Sequence, residues 1–305
     1  MHKFSILLFL LLTFNLFGCM PSNTPYIDFD KTQSTPPTNT YNDESSRPLR
    51  IAVATVISPH ATIEYYRNVA NHISKQLNRP TVLIQRKTYE EVNMIMSNGD
   101  ADIAFMSTGA YSAYRGLTDI EIIAMVNHRQ TSSYHAQIIV HKDSDIFTEA
   151  DLQGKSFAFT DPLSFSGHIA IVDLLNKRNI RPEQYFSRYL YTYSHDKSIW
   201  AVANKVVDAA SIDSMIFDYS QKIQPELAKN IRIISIIGPY PTGPVVVRSK
   251  LNKEQKDAIQ HIFLTMHKHE DMRNSLDNLL IDNFILPNVE LYKPLQKIYD
   301  QIGGI

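Results

Sequence analysis

The sequence predicts an α/β protein with two lobes, in which mostly parallel sheets are flanked by helices. From residue 49 onward, short apolar runs alternate with segments of helical periodicity, a pattern typical of sheets covered by helices. The alternation occurs as two successive series within about 250 residues, and each series is long enough for one lobe. The 305 residues are 44% apolar, which is sufficient to build a hydrophobic core.

The first series begins at residue 49. Its strands are predicted at short apolar runs over 50–55, 81–85, 102–106, 120–126 and 136–141. One helix is predicted from apolar residues at steps of three or four, namely Ile63, Tyr66, Ala70, Ile73 and Leu77. A second helix is predicted over 89–98, with Gly99 as its C-terminal cap.

The second series begins at residue 155 and has the same organisation. Strands are predicted over 155–160, 189–193, 206–210, 231–237 and 245–248. Helices are predicted over 166–177 and 197–204, and another begins at Met215. The tail over 253–302 is predicted to be mostly helical.

Composition and charge exclude several classes of protein. The chain has 30 basic and 31 acidic residues, so it lacks the general basic field of nucleic-acid-binding proteins. With a single Cys and this apolar fraction, it is neither a disulfide-stapled fold nor a membrane-spanning bundle. Any recognition of charge must therefore be local.

The amino terminus predicts export and lipid attachment. The apolar run over 4–17 is shorter than the roughly 20 residues that a spanning helix needs. It leads into Gly18-Cys19, which resembles a bacterial lipobox, so residues 1–18 are predicted to be a lipoprotein signal peptide and Cys19 the lipidated residue. The alternative is a structural Cys beside an ordinary cleavage site. The stretch 19–48, rich in Pro, Ser and Thr, would tether the folded part to the outer face of a membrane.

Two predicted strand ends lead into hydroxyl-rich turns that begin a helix. The first turn contains Ser107, Thr108 and Tyr111, and the second contains Ser-Phe-Ser-Gly over 164–167. Hydroxyls and free N–H groups at a helix amino end favour an anion. Helix capping by Ser or Thr would explain either turn without a ligand. His195 begins a further helix, where it could donate to an anion and titrate near neutral pH, or simply bond to backbone or solvent.

Several of these segments, in this order, resemble the PhnD-like phosphate, phosphite and phosphonate substrate-binding proteins of ABC transporters. The matching segments are 88–89, 99–105, 161–167, 194–196 and 207–210. The resemblance covers roughly residues 49–290 and rests on the order and spacing of the segments together. The chain departs from the family pattern at Phe165, where a small or hydroxylic residue is commoner.

The resemblance implies a bilobed type II periplasmic-binding-protein fold, with two chain crossings between the lobes and closure about a hinge. Lobe 1 would comprise 49–141 and 240–305, and lobe 2 would comprise 142–239. The ligand-binding residues that it implies are Tyr89, Ser107, Thr108, Tyr111, Ser164, Phe165, Ser166, Gly167, His195 and Asp213. The 164–167 turn would wrap the oxyanion, His195 would donate to it, and Asp213 would contact the substituent on phosphorus.

We therefore expect an extracytoplasmic lipoprotein that works as a monomer, without a cofactor and without nucleic acid. It would capture phosphonate, phosphite or phosphate for an ABC permease; the alternative is a sensor that signals to a membrane histidine kinase. A hydrolase using Ser164 or Ser166 with His195 would be an enzyme, but the chain lacks a Gly-x-Ser-x-Gly elbow. No metal site is expected, because His267 and His269 do not share a helical side.

Overall fold

The computed structural model describes residues 47–54, 56 and 59–303, of which 59–61 are described by their backbone alone. The predicted signal peptide, Cys19 and nearly all of the predicted tether lie outside the described residues. Among the helices that are described, none combines the length and the apolar character needed to cross a bilayer.

The described residues form eleven strands, which overlap all the runs predicted as strands, although the strand predicted over 206–210 lies three residues later, over 209–213. They are β1 (Leu49–Ala54), β2 (Thr81–Arg86), β3 (Ile103–Phe105), β4 (Ile120–Asn127), β5 (Ser133–His141), β6 (Ser156–Phe159), β7 (Arg188–Tyr191), β8 (Ala209–Asp213), β9 (Ile231–Pro241), β10 (Pro244–Arg248) and β11 (Asn283–Ile285). The short strand β11 lies within the tail that was expected to be mostly helical, and three residues are too few to show a strand periodicity.

The α-helices lie between these strands and in the carboxyl-terminal tail. They are α1 (Pro59–Leu77), α2 (Tyr89–Ser97), α3 (Thr108–Ala113), α4 (Ala170–Asn176), α5 (Pro182–Tyr185), α6 (His195–Ala203), α7 (Ser214–Ile223), α8 (Pro225–Ala228), α9 (Lys253–Thr265), α10 (Glu270–Asn278) and α11 (Lys293–Gln301). A π-helical turn, Phe165–Ile169, precedes α4, and short 3-10 turns occupy Glu149–Leu152, Met266–Lys268 and Val289–Tyr292.

The strands form two mixed sheets, in the orders β11-β4-β10-β3-β1-β2 and β7-β6-β8-β5-β9. In the first sheet β1 is parallel to β2 and β3, whereas β10 is antiparallel to β3 and β4. In the second sheet β6 is parallel to β7 and β8, whereas β5 is antiparallel to β8 and β9. The sheets are therefore mixed rather than mostly parallel, because strands next to the chain crossings run against their neighbours.

The chain crosses between the sheets twice, after β4 and after β9. Strand β5 pairs in the second sheet, although residues 133–141 are predicted to belong to lobe 1. An apolar run does not reveal which sheet will accept it, and so the predicted boundary falls one strand late. From sheet membership we propose that lobe 1 comprises 49–127 with 244–303 and that lobe 2 comprises 133–241.

A buried ion cluster closes the end of the first sheet that lies away from the carboxyl ends of β1 and β3. Asp102, which is fully buried, accepts hydrogen bonds from Arg47 Nη2 (2.5 Å), Arg248 Nη2 (2.6 Å) and the backbone N–H of Arg50 (2.8 Å). Burial alone would raise the pKa of Asp102, but these donors outweigh burial and hold the pKa below its ordinary value. The carboxylate thus fixes the chain before β1, β1 itself and β10 to one point.

We predict that Asp102→Asn lowers the free energy of unfolding by roughly 3–5 kcal/mol, because it removes the charge that compensates buried guanidinium groups. Since the pKa of Asp102 is lowered by folding, its stabilising effect is present at neutral pH and is lost as the pH falls through the folded pKa. Urea unfolding at pH 7 measures the difference. Asp100→Asn is the control, because Asp100 is exposed and lies 3.6 Å from Arg50. Equal destabilisation by both variants would contradict the prediction.

Candidate functional site

A cavity of about 120 Å³ lies between the two lobes, beyond strand ends of both sheets. Its polar lining residues are Thr62, Tyr66, Tyr89, Ser107, Thr108, Tyr134, Ser164, Ser166, His195, Asp213 and Thr242. The cavity also contacts Phe165. Of the ten predicted ligand-binding residues, only Tyr111 and Gly167 are not among those that line it.

Several helices begin at this cavity. Helix α2 begins at Tyr89, α6 begins at His195, and α7 follows its cap Asp213. A helix amino end carries unpaired N–H groups and a partial positive charge, so these helices together favour an anion between them. The described residues that line the cavity include no lysine or arginine. The partial positive charge that these helices place at the cavity therefore comes from backbone dipoles rather than from cationic side chains.

The two predicted serine turns are helix caps that also face the cavity. Ser107 Oγ accepts a hydrogen bond from the backbone N–H of Ala110 (3.1 Å), and Ser164 Oγ accepts one from Gly167 (3.0 Å). The capping interpretation of both turns is therefore confirmed. A cap uses a lone pair of the hydroxyl oxygen and leaves its hydrogen free to donate, so capping and ligand binding are compatible.

The 164–167 turn offers backbone donors as well as hydroxyls. The backbone N–H groups of Phe165 and Ser166 make no hydrogen bond to any group in the described part of the chain. Both residues line the cavity. A buried N–H group without a partner is costly, so these two amides are suited to an acceptor oxygen from a ligand.

His195 is held as a neutral ring with a defined tautomer. Its Nδ1 accepts the backbone N–H of Asp213 (3.1 Å) and lies 3.2 Å from Thr160 Oγ1. Because Nδ1 accepts, the ring proton resides on Nε2, which is 3.5 Å from Ser164 Oγ. Burial lowers the pKa of His195 to about 3. The expectation that His195 titrates near neutral pH is therefore wrong, since a ring that is only 2% exposed resists protonation.

The same geometry bears on the hydrolase alternative. In a serine triad the base donates from Nδ1 to a carboxylate, which orients it and stabilises its positive charge. Here Nδ1 of His195 instead accepts from a backbone N–H, and the low pKa disfavours protonation. The pair Ser164 and His195 thus lacks the third group that a hydrolase needs.

Asp213 lies at the cavity as the cap of α7. Its Oδ1 accepts the backbone N–H of Met215 (2.7 Å). Burial raises the pKa of Asp213 to about 7, although the N–H groups of Met215 and Ile216 oppose the rise. The carboxyl therefore changes its charge near neutral pH. It can accept a hydrogen bond when ionised and donate one when protonated.

Two predicted residues are engaged elsewhere. The ring of Tyr111 packs edge-on against Tyr292, with centroids 5.1 Å apart, so it faces the helix layer of lobe 1. Gly167 lies against Thr160, and a Cβ on Gly167 would come within 2.5 Å of the Thr160 side chain. Gly167 therefore packs against Thr160, and its N–H group donates to Ser164 Oγ. It is not among the residues that line the cavity.

Sequence reasoning missed Tyr134 and Asp161. The Tyr134 hydroxyl lies beside the hydroxyls of Thr108 and Ser166, one from each lobe. Asp161 Oδ2 accepts the backbone N–H of Tyr89 from the opposite lobe (3.2 Å), and burial raises the pKa of Asp161 to about 6. Asp161 occurs in the segment that carries the family resemblance and could have been singled out there. No local pattern marks Tyr134, which reaches the site because β5 crosses into lobe 2.

The cavity also has apolar lining residues. They include Val56, Phe105, Met106, Val126, Met215, Ile216, Leu279, Leu280 and Ile281. The cavity therefore offers both hydrogen-bond donors and contact to carbon. This combination suits a small ligand with an oxyanion head and an apolar substituent.

The lobes touch at the rim of the cavity. A Cβ on Gly109, in α3, would lie 2.1 Å from the carbonyl oxygen of Leu163. Thr108 Oγ1 donates to the carbonyl of Pro241 (2.7 Å). The close approach at Gly109 requires glycine, and it brings the two serine turns onto the same cavity.

Comparison with known proteins agrees with this geometry. The model of a family described as ABC transporter, phosphonate, periplasmic substrate-binding protein matches residues 51–292. The chain belongs to this family. Its members are substrate-binding transport proteins and not enzymes, and they act outside the cytoplasm. The predicted family resemblance is thus confirmed, and the hydrolase alternative is excluded.

Individual relatives support the same family and fold. The phosphonates-binding periplasmic protein of Escherichia coli K12 is 30% identical over 150 residues, which are 48% of this chain but only 44% of that relative. A binding protein component of an ABC phosphonate transporter from Pseudomonas aeruginosa is 24% identical, with a TM-score of 0.75 over 83% of this chain and 86% of that one. PhnD1 from Prochlorococcus marinus, solved with methylphosphonate, is 18% identical, with a TM-score of 0.77 over 84% and 98% of the two chains. The fold is the type II periplasmic-binding-protein fold, as predicted.

We predict that Asp213→Asn stabilises the ligand-free protein at pH 8, by on the order of 3 kcal/mol. Since folding raises the pKa of Asp213 from 3.8 to about 7, the folded state binds this proton more tightly than the unfolded state. The contribution of Asp213 to stability therefore falls as the pH rises from about 4 to about 7. Asparagine is neutral and retains an oxygen for the Met215 N–H.

Urea unfolding of both proteins from pH 4 to pH 8 measures this effect. The difference between them should be small at pH 4 and should grow toward pH 8. A difference independent of pH would show that Asp213 does not titrate in this range.

Proposed function

We propose that this protein captures a phosphonate in the interlobe cavity and delivers it to the permease of an ABC transporter. The observation that carries the proposal is the lining of the cavity, which combines helix amino ends and neutral donors with apolar side chains. Phosphite and phosphate have the same oxyanion head but lack the substituent. We expect them to bind more weakly, because they have no carbon substituent to contact the apolar lining residues.

The oxyanion would be bound without a cationic side chain. The donors are the hydroxyls of Ser107, Ser164 and Ser166, the Nε2–H of His195 and the free amides of Phe165 and Ser166. Hydrogen bonds to a charged group contribute about 1.5–3 kcal/mol each, so a few of them suffice for tight binding. Because His195 is neutral, its contribution is a directed donor rather than a charge.

The protonation state of Asp213 would affect which ligands bind in the cavity. When ionised it would repel a dianion and accept a hydrogen bond from a ligand O–H group or from an amino substituent. When protonated it would donate. Its pKa of about 7 places this choice close to neutral pH, and a bound anion would raise the pKa further.

We predict that His195→Ala and Ser166→Ala each weaken methylphosphonate binding by roughly 10- to 100-fold, because each removes a donor to a charged ligand. Ser166 is the better test, since Ser164 rather than Ser166 caps the turn. Titration calorimetry with methylphosphonate, phosphite, phosphate and sulfate at pH 7.5 measures affinity and rank.

Ser220→Ala is the matched control, because Ser220 is a buried serine of lobe 2 that does not line the cavity. Its affinity for methylphosphonate should equal that of the wild type. Silence with every phosphorus oxyanion, or full affinity in both cavity variants, would overturn the proposed site. If the ligand binds but cells lacking the protein still take it up, the sensor alternative for a histidine kinase is favoured instead.

We also propose that the protein is anchored by lipid on Cys19. The support is the apolar run that leads into Gly18-Cys19, and Cys19 is the sole cysteine of the chain. The following residues, up to about position 48, would let the lobes reach a permease from the membrane surface.

We predict that the full chain made in a bacterium partitions into the detergent phase of Triton X-114 and that Cys19→Ala moves it to the aqueous phase. The reason is that acyl chains supply about 0.8 kcal/mol per buried methylene, which the variant would lose. Mass spectrometry of the amino-terminal peptide identifies the modification. Aqueous partition of the unaltered chain would refute the anchor.

A further inference from the structure

His72 is a buried imidazole with no assigned partner. It lies on α1, is only 5% exposed and is not among the residues that line the cavity. Neither Nδ1 nor Nε2 forms a hydrogen bond to any group among the residues that the structure describes. Buried side-chain nitrogens nearly always have a hydrogen-bond partner. The two nitrogens of His72 are therefore candidates for binding a ligand.

Two further ligand side chains lie against this ring. His269 occupies the position just before α10, and its ring centroid lies 4.6 Å from that of His72, with the planes 67° apart. Asp271 lies in the first turn of α10. One ligand atom from each of His72, His269 and Asp271 can be chosen so that all lie within 4.8 Å of one another. The His269 side chain makes no capping bond to α10 and is therefore free for another role.

The packing of α1 on α10 holds this cluster in register. Asn68 Nδ2 donates to Ser275 Oγ (3.0 Å), and these residues lie one turn before His72 and one turn after Asp271. A residue one turn before His72 on α1 thus contacts a residue one turn after Asp271 on α10. The two helices are therefore antiparallel. Buried Met272 and Ser275 fix the contact.

We propose that His72, His269 and Asp271 form a binding site for a divalent transition-metal ion, with Zn²⁺ as the best fit. Two imidazoles and one carboxylate suit Zn²⁺, whereas Ca²⁺ and Mg²⁺ prefer oxygen ligands alone. Bonds of about 2.0–2.1 Å in a tetrahedron place ligand atoms about 3.4 Å apart, so the cluster tightens around the ion. Water completes the fourth position on the exposed side of Asp271.

Spacing within one helix could not reveal this site. His267 and His269 lie two residues apart, and the sequence therefore predicts no metal there. The structure supplies the missing ligand from α1, nearly 200 residues away in the chain, and leaves His267 exposed and outside the cluster. This site shares no residue with the proposed phosphonate cavity, since none of its three ligands lines that cavity.

The test is metal titration of the full chain, made without a histidine tag, stripped with chelator and free of phosphonate. Calorimetry should give one Zn²⁺ per chain, and Co²⁺ should give the visible absorption of a tetrahedral site. His269→Ala and Asp271→Asn should each weaken Zn²⁺ binding by at least roughly tenfold and abolish the Co²⁺ spectrum. Neither residue is fully buried, so both variants should fold; methylphosphonate affinity checks this.

His267→Ala is the control, because it removes a neighbouring exposed histidine that is not in the cluster. It should keep both the affinity and the spectrum. No stoichiometric binding by the wild type, or equal losses in His267→Ala and His269→Ala, would overturn the metal site. Neither result would bear on phosphonate capture, which calorimetry measures separately.

Discussion

The two crossings of the chain between the sheets constrain the rest of the structure. They run side by side, since Thr242 N–H donates to the carbonyl of Ser132 (2.9 Å) and Thr242 Oγ1 donates to that of Val126 (2.6 Å). Tyr292 Oη then donates to the carbonyl of Thr242 (2.6 Å). With the connections confined to one place, the strand ends of both sheets face a common cavity, and the helices that follow those strands begin there.

An anion in this cavity would be stabilised by hydrogen-bond donors at fixed positions rather than by an opposite charge. A Lys or Arg would attract any anion, whereas hydroxyls and N–H groups bind only an acceptor that lies at hydrogen-bonding distance and in the right direction. The low pKa of His195 also makes it a directed donor, because a neutral ring carries only one proton. The Asp213 N–H donates to Nδ1, so this proton lies on Nε2. In the proposed function, recognition would therefore depend on closure, because donors from both lobes would have to reach the ligand together.

Local pattern predicts the parts of this site that local structure determines. Ser164 and His195 could be predicted, because a strand, a polar turn and a helix start are visible in the sequence and place them at a strand end. Tyr134 could not, since it depends on which sheet accepts β5. The orientation of Tyr111 and the low pKa of His195 also depend on neighbours that lie distant in the chain. The antiparallel strand pairs in both sheets could not be predicted for the same reason.

The proposed metal site and the ligand cavity share their framework without sharing residues. Helix α1 contributes Thr62 and Tyr66 to the cavity and, roughly 9 Å further along its axis, presents His72 to α10. Helix α10 in turn leads directly into 279–281, which are apolar lining residues of the cavity. An ion that joins α1 to α10 would therefore fix the separation of two segments that line the cavity. It would act on the shape of the cavity within lobe 1 without contacting the ligand.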